Sequence, residues 1–170
     1  MGWCMPNRRL SKFSDVTCAM LAEDGVRALV LDIDNTLEPY ENPDPTEATL
    51  AWFRELGDAG IRFAFVSNNG RARVERFNRA LGFPYFYKAK KPFAKNVRRA
   101  MQAMGVRPEE TALMGDQIFT DVLAAHAAGI RAYLVPPIKD KTDVFTRCKR
   151  LLERPILRRY DRRQKKEETQ

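Results

Sequence analysis

The sequence is poor in the features that mark secreted and membrane-spanning proteins. Its three cysteines, Cys4, Cys18 and Cys148, are scattered and form no CxxC pair. Their number and spacing argue against a disulfide framework and against a cysteine zinc site. The longest apolar runs, such as AYLV, are far too short to span a bilayer. Residues 1–13 lack the apolar stretch of a secretory signal, so we expect a cytoplasmic protein.

Net charge is also absent from most of the chain. The 170 residues suit one domain, with 44% hydrophobic and 31% charged residues. Residues 147–166 hold ten Lys or Arg against two acids, which accounts for the whole net charge of +8. We therefore expect a lead-in segment and helix over 1–26, a globular domain over 27–153 and a basic tail over 154–170.

Short apolar segments alternate with helical patterns between residues 27 and 136. This alternation predicts an α/β fold of three layers, a Rossmann-like parallel sheet with helices on both faces. Thr46 is a plausible N-cap, and Trp52 and Phe53 are expected in the core. The predicted strands lie within 27–34, 61–69, 85–92, 111–116 and 131–137. The predicted helices lie within 14–24, 43–60, 71–82, 93–105, 120–129 and 143–153.

Polar residues follow four of the predicted strands at their carboxyl ends. In parallel sheets this edge is where ligands bind, so we expect the four sets to meet there. Two carboxylates separated by one residue on an extended segment face the same side. The four sets are Asp32 with Asp34; Ser67 with Asn68 and Asn69; Lys90 with Lys91; and Asp116 with Asp121.

Four carboxylates around one point repel one another unless a positive charge lies between them. Magnesium, held by carboxylate oxygens and a substrate phosphate, removes this conflict and neutralises an anionic phosphoryl group. Aspartate is a covalent nucleophile for phosphoryl groups, and a second Asp is suited to proton transfer. The residue types therefore indicate magnesium-assisted phosphoryl chemistry.

The motifs DIDNTL, VSNN, KKP and GDQIFTD, in this order, resemble the four motifs of the haloacid dehalogenase superfamily of phosphatases. The resemblance covers about residues 28 to 136. It implies that Asp32 is the nucleophile and Asp34 the general acid/base, with Thr36 bracing the loop. It further implies that Ser67 and Lys91 are catalytic and bind the phosphoryl group, and that the magnesium ligands are Asp32, Asp34 (through its main-chain carbonyl), Asp116 and Asp121.

Several of these positions have simpler interpretations. Ser67 is also typical of a helix cap. Asn68 is a further candidate for phosphate binding, although Asn68 and Asn69 are more typical of a turn. Lys90 competes with Lys91 for the lysine role, and Asp121 could cap the next helix instead of ligating metal directly. His126, in the middle of a predicted helix, is interpreted as structural.

The motif spacing leaves no room for a cap domain. Residues 36–67 have room for one loop, one helix and one strand, and residues 67–91 for one helix and a short strand, so the site is expected to be open to a large substrate. The pattern is similar to the YqeG-like subgroup of subfamily IIIA, which resembles phosphatidylglycerophosphate phosphatases. That resemblance implies a lipid head-group phosphate as the substrate.

The basic tail gives a weaker, independent indication. Pro155 could start a short helix with Ile156, Leu157 and Tyr160 on one side and arginines on the other, as in elements that lie on anionic membranes. A solvated, disordered tail is an equal alternative. No recognised nucleic-acid motif or interleaved aromatic set accompanies the charge, so nucleic acid is not the expected partner.

Two other classes of protein share some of these features. Another capless phosphatase could act on a nucleic-acid end or a phosphoprotein. A signalling receiver domain also uses acids and a Lys-Pro pair, but its Lys-Pro comes last, whereas here KKP precedes GDQIFTD. A basic adaptor with an inactive catalytic fold would not need the full set of acids.

Overall fold

The structure, a computed structural model, describes residues 3–139, 152–153 and 155–162. Most of the helix predicted over 143–153 therefore lies outside the described residues. The strands are β1 (Arg8–Arg9), β2 (Ala28–Leu31), β3 (Arg62–Val66), β4 (Tyr85–Phe86), β5 (Thr111–Gly115) and β6 (Arg131–Leu134). The helices are α1 (Cys18–Asp24), α2 (Glu47–Asp58), α3 (Arg71–Asn78), α4 (Lys95–Met104) and α5 (Leu123–Ala128), and residues 155–162 are also helical.

The six strands form one parallel sheet in the order β1-β6-β5-β2-β3-β4. Strand β2 lies inside it between β5 and β3, and all four of its residues are buried. Continuous apolar strands of this kind belong in a sheet covered on both faces. The predicted α/β fold is confirmed.

Strand β1 is the one strand of the described residues that the sequence did not indicate. Its two arginines pair with Tyr133 and Leu134 of β6. Such a short, charged edge strand has neither the apolar run nor the alternation from which strands are inferred. The pairing brings the lead-in segment into the domain's sheet.

Each face of the sheet carries its own hydrophobic core. On one face α4 and α5 pack through residues such as Val97 and Met101. On the other face α1, α2 and α3 pack through a group of aromatic rings that includes Trp52, Phe53 and Phe77. The indole of Trp52 also donates to the carbonyl of Val16 at 2.9 Å. Trp52 and Phe53 are thus core residues, as predicted.

The helix at 155–162 packs against the domain. Ile156 and Leu157 are half-buried against the core on the α4 and α5 face. Asp161 accepts a hydrogen bond from Arg9 at 2.6 Å. The apolar side of this helix, which the sequence suggested for contact with a membrane, therefore packs against the protein core. Arg158, Arg159 and Arg162 are exposed.

No described segment interrupts the two places where a cap would be inserted. Residues 35–46 form a single loop before α2, and residues 67–70 connect β3 directly to α3. The expected capless architecture is confirmed. Among the described residues, no helix has the length and apolar character needed to cross a membrane.

The loop before α2 is organised by the buried carboxylate of Glu38. This carboxylate accepts hydrogen bonds from the main chain and hydroxyl of Thr46, at 2.9 and 2.6 Å, and from the Thr49 hydroxyl at 2.7 Å. Asn42 donates to it at 3.1 Å. Burial alone would raise the pKa of Glu38, but these donors outweigh it and lower the pKa. The main chain of Glu38 pairs with Asp34, so the same residue joins α2 to the end of β2.

Glu38→Gln should lower the free energy of unfolding at pH 7 by about 1–3 kcal/mol, because an amide cannot accept all of these hydrogen bonds. A carboxyl whose pKa is lowered by folding stabilises the protein above its ordinary pKa and loses that effect as pH falls through the folded value. The wild-type advantage should therefore shrink on acidification in urea titrations. Glu55→Gln, on the exposed side of α2, is the control. An unchanged stability at pH 7 would contradict this role.

Candidate active site

Three carboxylates meet at the carboxyl ends of β2 and β5. One oxygen from each of Asp32, Asp116 and Asp121 lies within 4.8 Å of the others, and all three residues are buried. Asp32 follows β2 and Asp116 follows β5, and these two strands pair directly. Asp121 comes from the π-helical turn Ile118–Val122, which returns its side chain to the same place.

Gly115 makes this close approach possible. A Cβ atom at this position would overlap the carboxyl group of Asp121. The last residue of β5 therefore has to be glycine for Asp121 to reach the other two acids. This is a steric requirement of the site rather than of the strand.

The ammonium group of Lys91 lies between two of the three acids. Its Nζ is 2.7 Å from Asp32 Oδ1 and 2.6 Å from Asp121 Oδ1, and its side chain is 2% exposed. Lys90, the alternative lysine, is exposed. The geometry therefore selects Lys91 as the lysine of the site.

The electrostatics of this group are set by burial. Desolvation raises the pKa of Asp32 to about 6, with the Lys91 charge opposing the rise and the neighbouring Asp121 and Asp34 adding to it. Burial would lower the pKa of Lys91, but Asp121 and Asp32 together raise it above its ordinary value. Lys91 is thus held as a cation, whereas ionised Asp32 is costly to the metal-free protein.

The side chain of Asp34 lies apart from the three clustered acids. Its Oδ1 accepts a hydrogen bond from Arg73 Nε at 2.9 Å, and its Oδ2 accepts one from Asn69 Nδ2 at 2.7 Å. Both donors follow β3, at the start of α3. Asp34 is therefore oriented by the neighbouring strand–helix connection, and its side chain is not among the grouped metal-binding oxygens.

The residues after β3 shape a turn beside this group. Ser67 is buried, and its hydroxyl accepts from the main chain of Asn69 at 3.1 Å. The amide of Asn68 is bonded at both ends to the main chain of Lys91, at 2.7 and 3.3 Å. Asn68 thus positions the lysine, a role that its predicted place in phosphate binding did not include. The hydroxyl of Thr36 lies 3.5 Å from Asp32 Oδ2, next to the residue it was expected to brace.

Asp121 serves two structural purposes at once. One oxygen contacts Lys91, and the other accepts hydrogen bonds from the main chain of Gln117 at 3.1 Å and from Thr120 at 3.2 Å. It therefore caps the turn and also belongs to the acidic group. His126, by contrast, contacts the carbonyl of Met5 through Nε2 at 2.9 Å, in keeping with a structural role.

Arg73 is the principal site residue that sequence reasoning missed. Besides Asp34, it donates to the carbonyl of Pro43 at 2.7 Å, so it joins α3 to two points of the loop after β2. Its remaining nitrogen, Nη2, is buried without a hydrogen-bond partner in the described structure. A signal existed in the sequence, because Arg71 and Arg73 occupy the first turn of a helix, where the helix dipole disfavours cations.

The clustered acids fit a hard divalent cation. Such ions prefer carboxylate oxygens, and one oxygen from each of three buried carboxylates converges here. The carboxyl group of Asp121 occupies the space that a side chain at position 115 would need, which brings its oxygens close to the other acids. Asp32, Asp116 and Asp121 are thus the residues whose side chains could hold a metal ion.

Comparison with known proteins identifies the family. A sequence profile described as haloacid dehalogenase-like hydrolase matches residues 19–129. This chain belongs to that family. It is also 36% identical, over 153 residues, to "Probable phosphatase YqeG" of Bacillus subtilis (strain 168), which covers 90% of this chain and 89% of the relative.

Solved structures share the fold. One is the cobalt-bound deoxy-D-mannose-octulosonate 8-phosphate phosphatase of Haemophilus influenzae, with a TM-score of 0.53 and 20% identity over 66% of this chain and 69% of that one. Another is an uncharacterized protein from Listeria monocytogenes serotype 4b, with a TM-score of 0.52 and 16% identity over 76% and 99% of the two chains. At these identities the likeness supports the fold alone.

The expected family, fold and enzyme class are confirmed by these comparisons. The chain is a phosphatase of the haloacid dehalogenase type. This membership sets aside the signalling-receiver alternative. The roles of individual residues, the metal and the substrate stay predictions.

Asp32→Asn should stabilise the metal-free protein at pH 7 by about 1–3 kcal/mol, because it removes a buried negative charge. A carboxyl whose pKa is raised by folding stabilises the protein only at low pH, so the contribution of Asp32, measured as wild type minus variant, should fall as pH rises from about 4 to 6. Magnesium should then raise the melting temperature of the wild type more than that of the variant. Thermal unfolding in EDTA and in magnesium chloride measures both effects. A less stable variant in EDTA would show that Asp32 is not under electrostatic strain.

Proposed function

We propose that this chain is a magnesium-dependent phosphomonoester hydrolase that forms an aspartyl-phosphate at Asp32. The observation that carries the proposal is the buried Lys91 ammonium, which contacts Asp32 and Asp121 within the group of three acids. Magnesium would be held by the side chains of Asp32, Asp116 and Asp121, with the main-chain carbonyl of Asp34 as a further ligand. When bound, it supplies positive charge that offsets the charge of the phosphoryl oxygens.

In the first step, a carboxylate oxygen of Asp32 attacks phosphorus and the bond from phosphorus to the ester oxygen breaks. Asp34 gives a proton to the departing oxygen, which leaves as an alcohol. Lys91 and the Ser67 hydroxyl hold phosphoryl oxygens and stabilise their charge. The product of this step is a mixed anhydride between Asp32 and phosphate.

In the second step, water attacks the same phosphorus and passes a proton to Asp34. The bond between phosphorus and the Asp32 oxygen breaks, which returns Asp32 as a carboxylate and releases inorganic phosphate. Asp34 thus ends the cycle with the proton it gave away. Arg73 and Asn69 donate hydrogen bonds to the two oxygens of Asp34 and fix their direction.

The substrate we propose is the terminal phosphate of a lipid head group, with phosphatidylglycerophosphate as the specific candidate. The capless site supports a substrate too large to be enclosed. The YqeG-like sequence pattern supports the lipid class, and exposed arginines on the helix at 155–162 suit an anionic membrane surface. Hydrolysis of this phosphate would serve phosphatidylglycerol and cardiolipin synthesis.

Asp32→Asn should lower magnesium-dependent phosphate release by about a thousandfold or more, because the amide does not attack phosphorus. Phosphate release is measured on phosphatidylglycerophosphate, a terminally phosphorylated oligonucleotide and a phosphopeptide, with magnesium and with EDTA. Asp58→Asn, an exposed position on α2, is the control.

The wild type should act fastest on the lipid and lose activity in EDTA. Undiminished turnover by Asp32→Asn would remove the proposed nucleophile. A preference for the oligonucleotide or the phosphopeptide would replace the lipid substrate but keep the phosphatase chemistry.

Arg73→Met should slow alkyl phosphates more than aryl phosphates, because it disturbs the proton donor that a poor leaving group needs most. We expect a loss of about tenfold or more in kcat on glycerol 3-phosphate and under about threefold on 4-nitrophenyl phosphate. Arg76→Met, on the same helix, removes an arginine that pairs with exposed Asp44 and is the control. Arg73→Lys should recover part of the kcat lost on glycerol 3-phosphate. Equal losses of kcat on both substrates would mean that Arg73 supports the fold and not the orientation of Asp34.

A further inference from the structure

The loop that delivers Lys91 to the site also presents aromatic and basic side chains to solvent. Between β4 and α4, Tyr87, Lys88, Lys90 and Phe93 are all exposed, and Phe93 is 70% exposed. Lys91 itself is buried among the acids. One short segment, residues 87–93, therefore combines a site residue with an exposed surface, and we call it the rim loop.

The rim loop is held firmly next to the site. The main chain of Lys88 donates to the carbonyl of Asn69 at 2.8 Å, and that of Ala89 donates to the carbonyl of Ser67 at 3.0 Å. The side chain of Asn68 is bonded to the main chain of Lys91. These contacts fasten the main chain of the rim loop to the end of β3, two residues before Phe93 in the case of Lys91.

Two further exposed side chains belong to the segments that follow β2 and β6. Tyr40 and Ile138 are 53% and 45% exposed. The main chain of Ile138 donates to the carbonyl of Asn35 at 3.0 Å, which places residue 138 beside the end of β2. Lys139 is paired with Glu41 at 3.6 Å. Exposed apolar and aromatic side chains thus flank the site from two loops at the same sheet edge.

The stretch of sequence that contains the rim loop carries side-chain charge of one sign. From residue 76 to residue 108 the chain contains nine Lys or Arg and no Asp or Glu. A second basic group, Arg158, Arg159 and Arg162, is exposed on the helix at 155–162. Glu153, just before that helix, accepts a hydrogen bond from the main chain of Ile118, at the start of the turn that carries Asp121, at 2.8 Å. Glu153 therefore links the chain just before this helix to the turn that carries Asp121.

We propose that the rim loop docks the enzyme on an anionic lipid bilayer, with Phe93 entering the interface and Lys88 and Lys90 contacting head-group phosphates. Aromatic rings settle at the head-group level of a bilayer, and nearby lysines gain free energy from anionic lipids. This proposal rests on the lipid substrate proposed above, because docking brings a membrane-borne phosphate to an open site. An exposed phenylalanine close in sequence to two exposed lysines fits an interface that is partly apolar and partly anionic.

The test uses the full chain and vesicles of phosphatidylcholine alone or with about one-third phosphatidylglycerol. The variant Lys88→Glu/Phe93→Ser removes one basic and one apolar contact of the rim loop. Its matched control is Trp3→Ser/Arg79→Glu, which makes the same changes at exposed positions, Trp3 also being 70% exposed. Trp3 precedes the start of β1 and Arg79 follows the end of α3, so both lie toward the opposite edge of the sheet.

Co-sedimentation of the wild type with the anionic vesicles is expected, and the rim-loop variant should bind at least about tenfold more weakly. Turnover of 4-nitrophenyl phosphate should stay within about twofold of wild type, whereas turnover of phosphatidylglycerophosphate in anionic vesicles should fall about tenfold. The control variant should match the wild type in both assays.

Three results would overturn the docking proposal while 4-nitrophenyl phosphate turnover still reports the phosphatase. These are no vesicle binding by the wild type, equal binding by the two variants, or a rim-loop effect on oligonucleotide binding without one on vesicles. Loss of 4-nitrophenyl phosphate turnover in the rim-loop variant would also overturn it, because the loop would then be acting through Lys91. Failure of the phosphatase itself would appear instead as no magnesium-dependent turnover of any substrate by the wild type.

Discussion

A buried ammonium group among converging carboxylates is the interaction on which the rest of this structure depends. Lys91 contacts Asp32 and Asp121, although the three residues come from loops that are far apart in the chain. The lysine reaches this position only because Asn68 and the neighbouring main chain fasten its loop to the end of β3. Gly115 then leaves room for Asp121 to return from its turn. The order of the strands, the turn geometry and the glycine at position 115 therefore all contribute to this one arrangement of charges.

The charges fall into two connected parts. Asp32, Asp116 and Asp121 face Lys91, whereas the side chain of Asp34 is held outside this group by Arg73 and Asn69. Lys91 and Arg73 each pair with acids of this group, and a divalent ion would add the positive charge that converging carboxylates favour. This division also separates two tasks, since a nucleophile needs compensated negative charge and a proton carrier needs a fixed direction. The open edge above them leaves substrate selection to the surrounding surface.

Much of this arrangement could be predicted from the sequence. The alternation of strands and helices predicted the parallel sheet. Because ligands bind at the carboxyl ends of parallel strands, Asp32, Ser67, Lys91 and Asp116 could be predicted to lie together. Pairwise contacts could not be predicted in the same way. Arg73 is an unfavourable cation in the first turn of α3, but that anomaly does not identify Asp34 as its partner. Asn68 is indistinguishable in sequence from an ordinary turn residue. Strand β1 has two charged residues and no periodicity. Each of these depends on a distant partner, which local sequence does not specify.

Asp32, Asp116 and Asp121 are proposed to hold one divalent cation beside Lys91. Manganese, which substitutes for magnesium at oxygen sites and scatters X-rays anomalously, tests this most directly in crystals of the full chain. We expect one strong anomalous peak bonded to carboxylate oxygens of these three residues, with Lys91 still in contact with Asp32. The peak should be lost in Asp116→Asn. Manganese bound elsewhere, or no peak at this position at saturating manganese, would contradict this proposal.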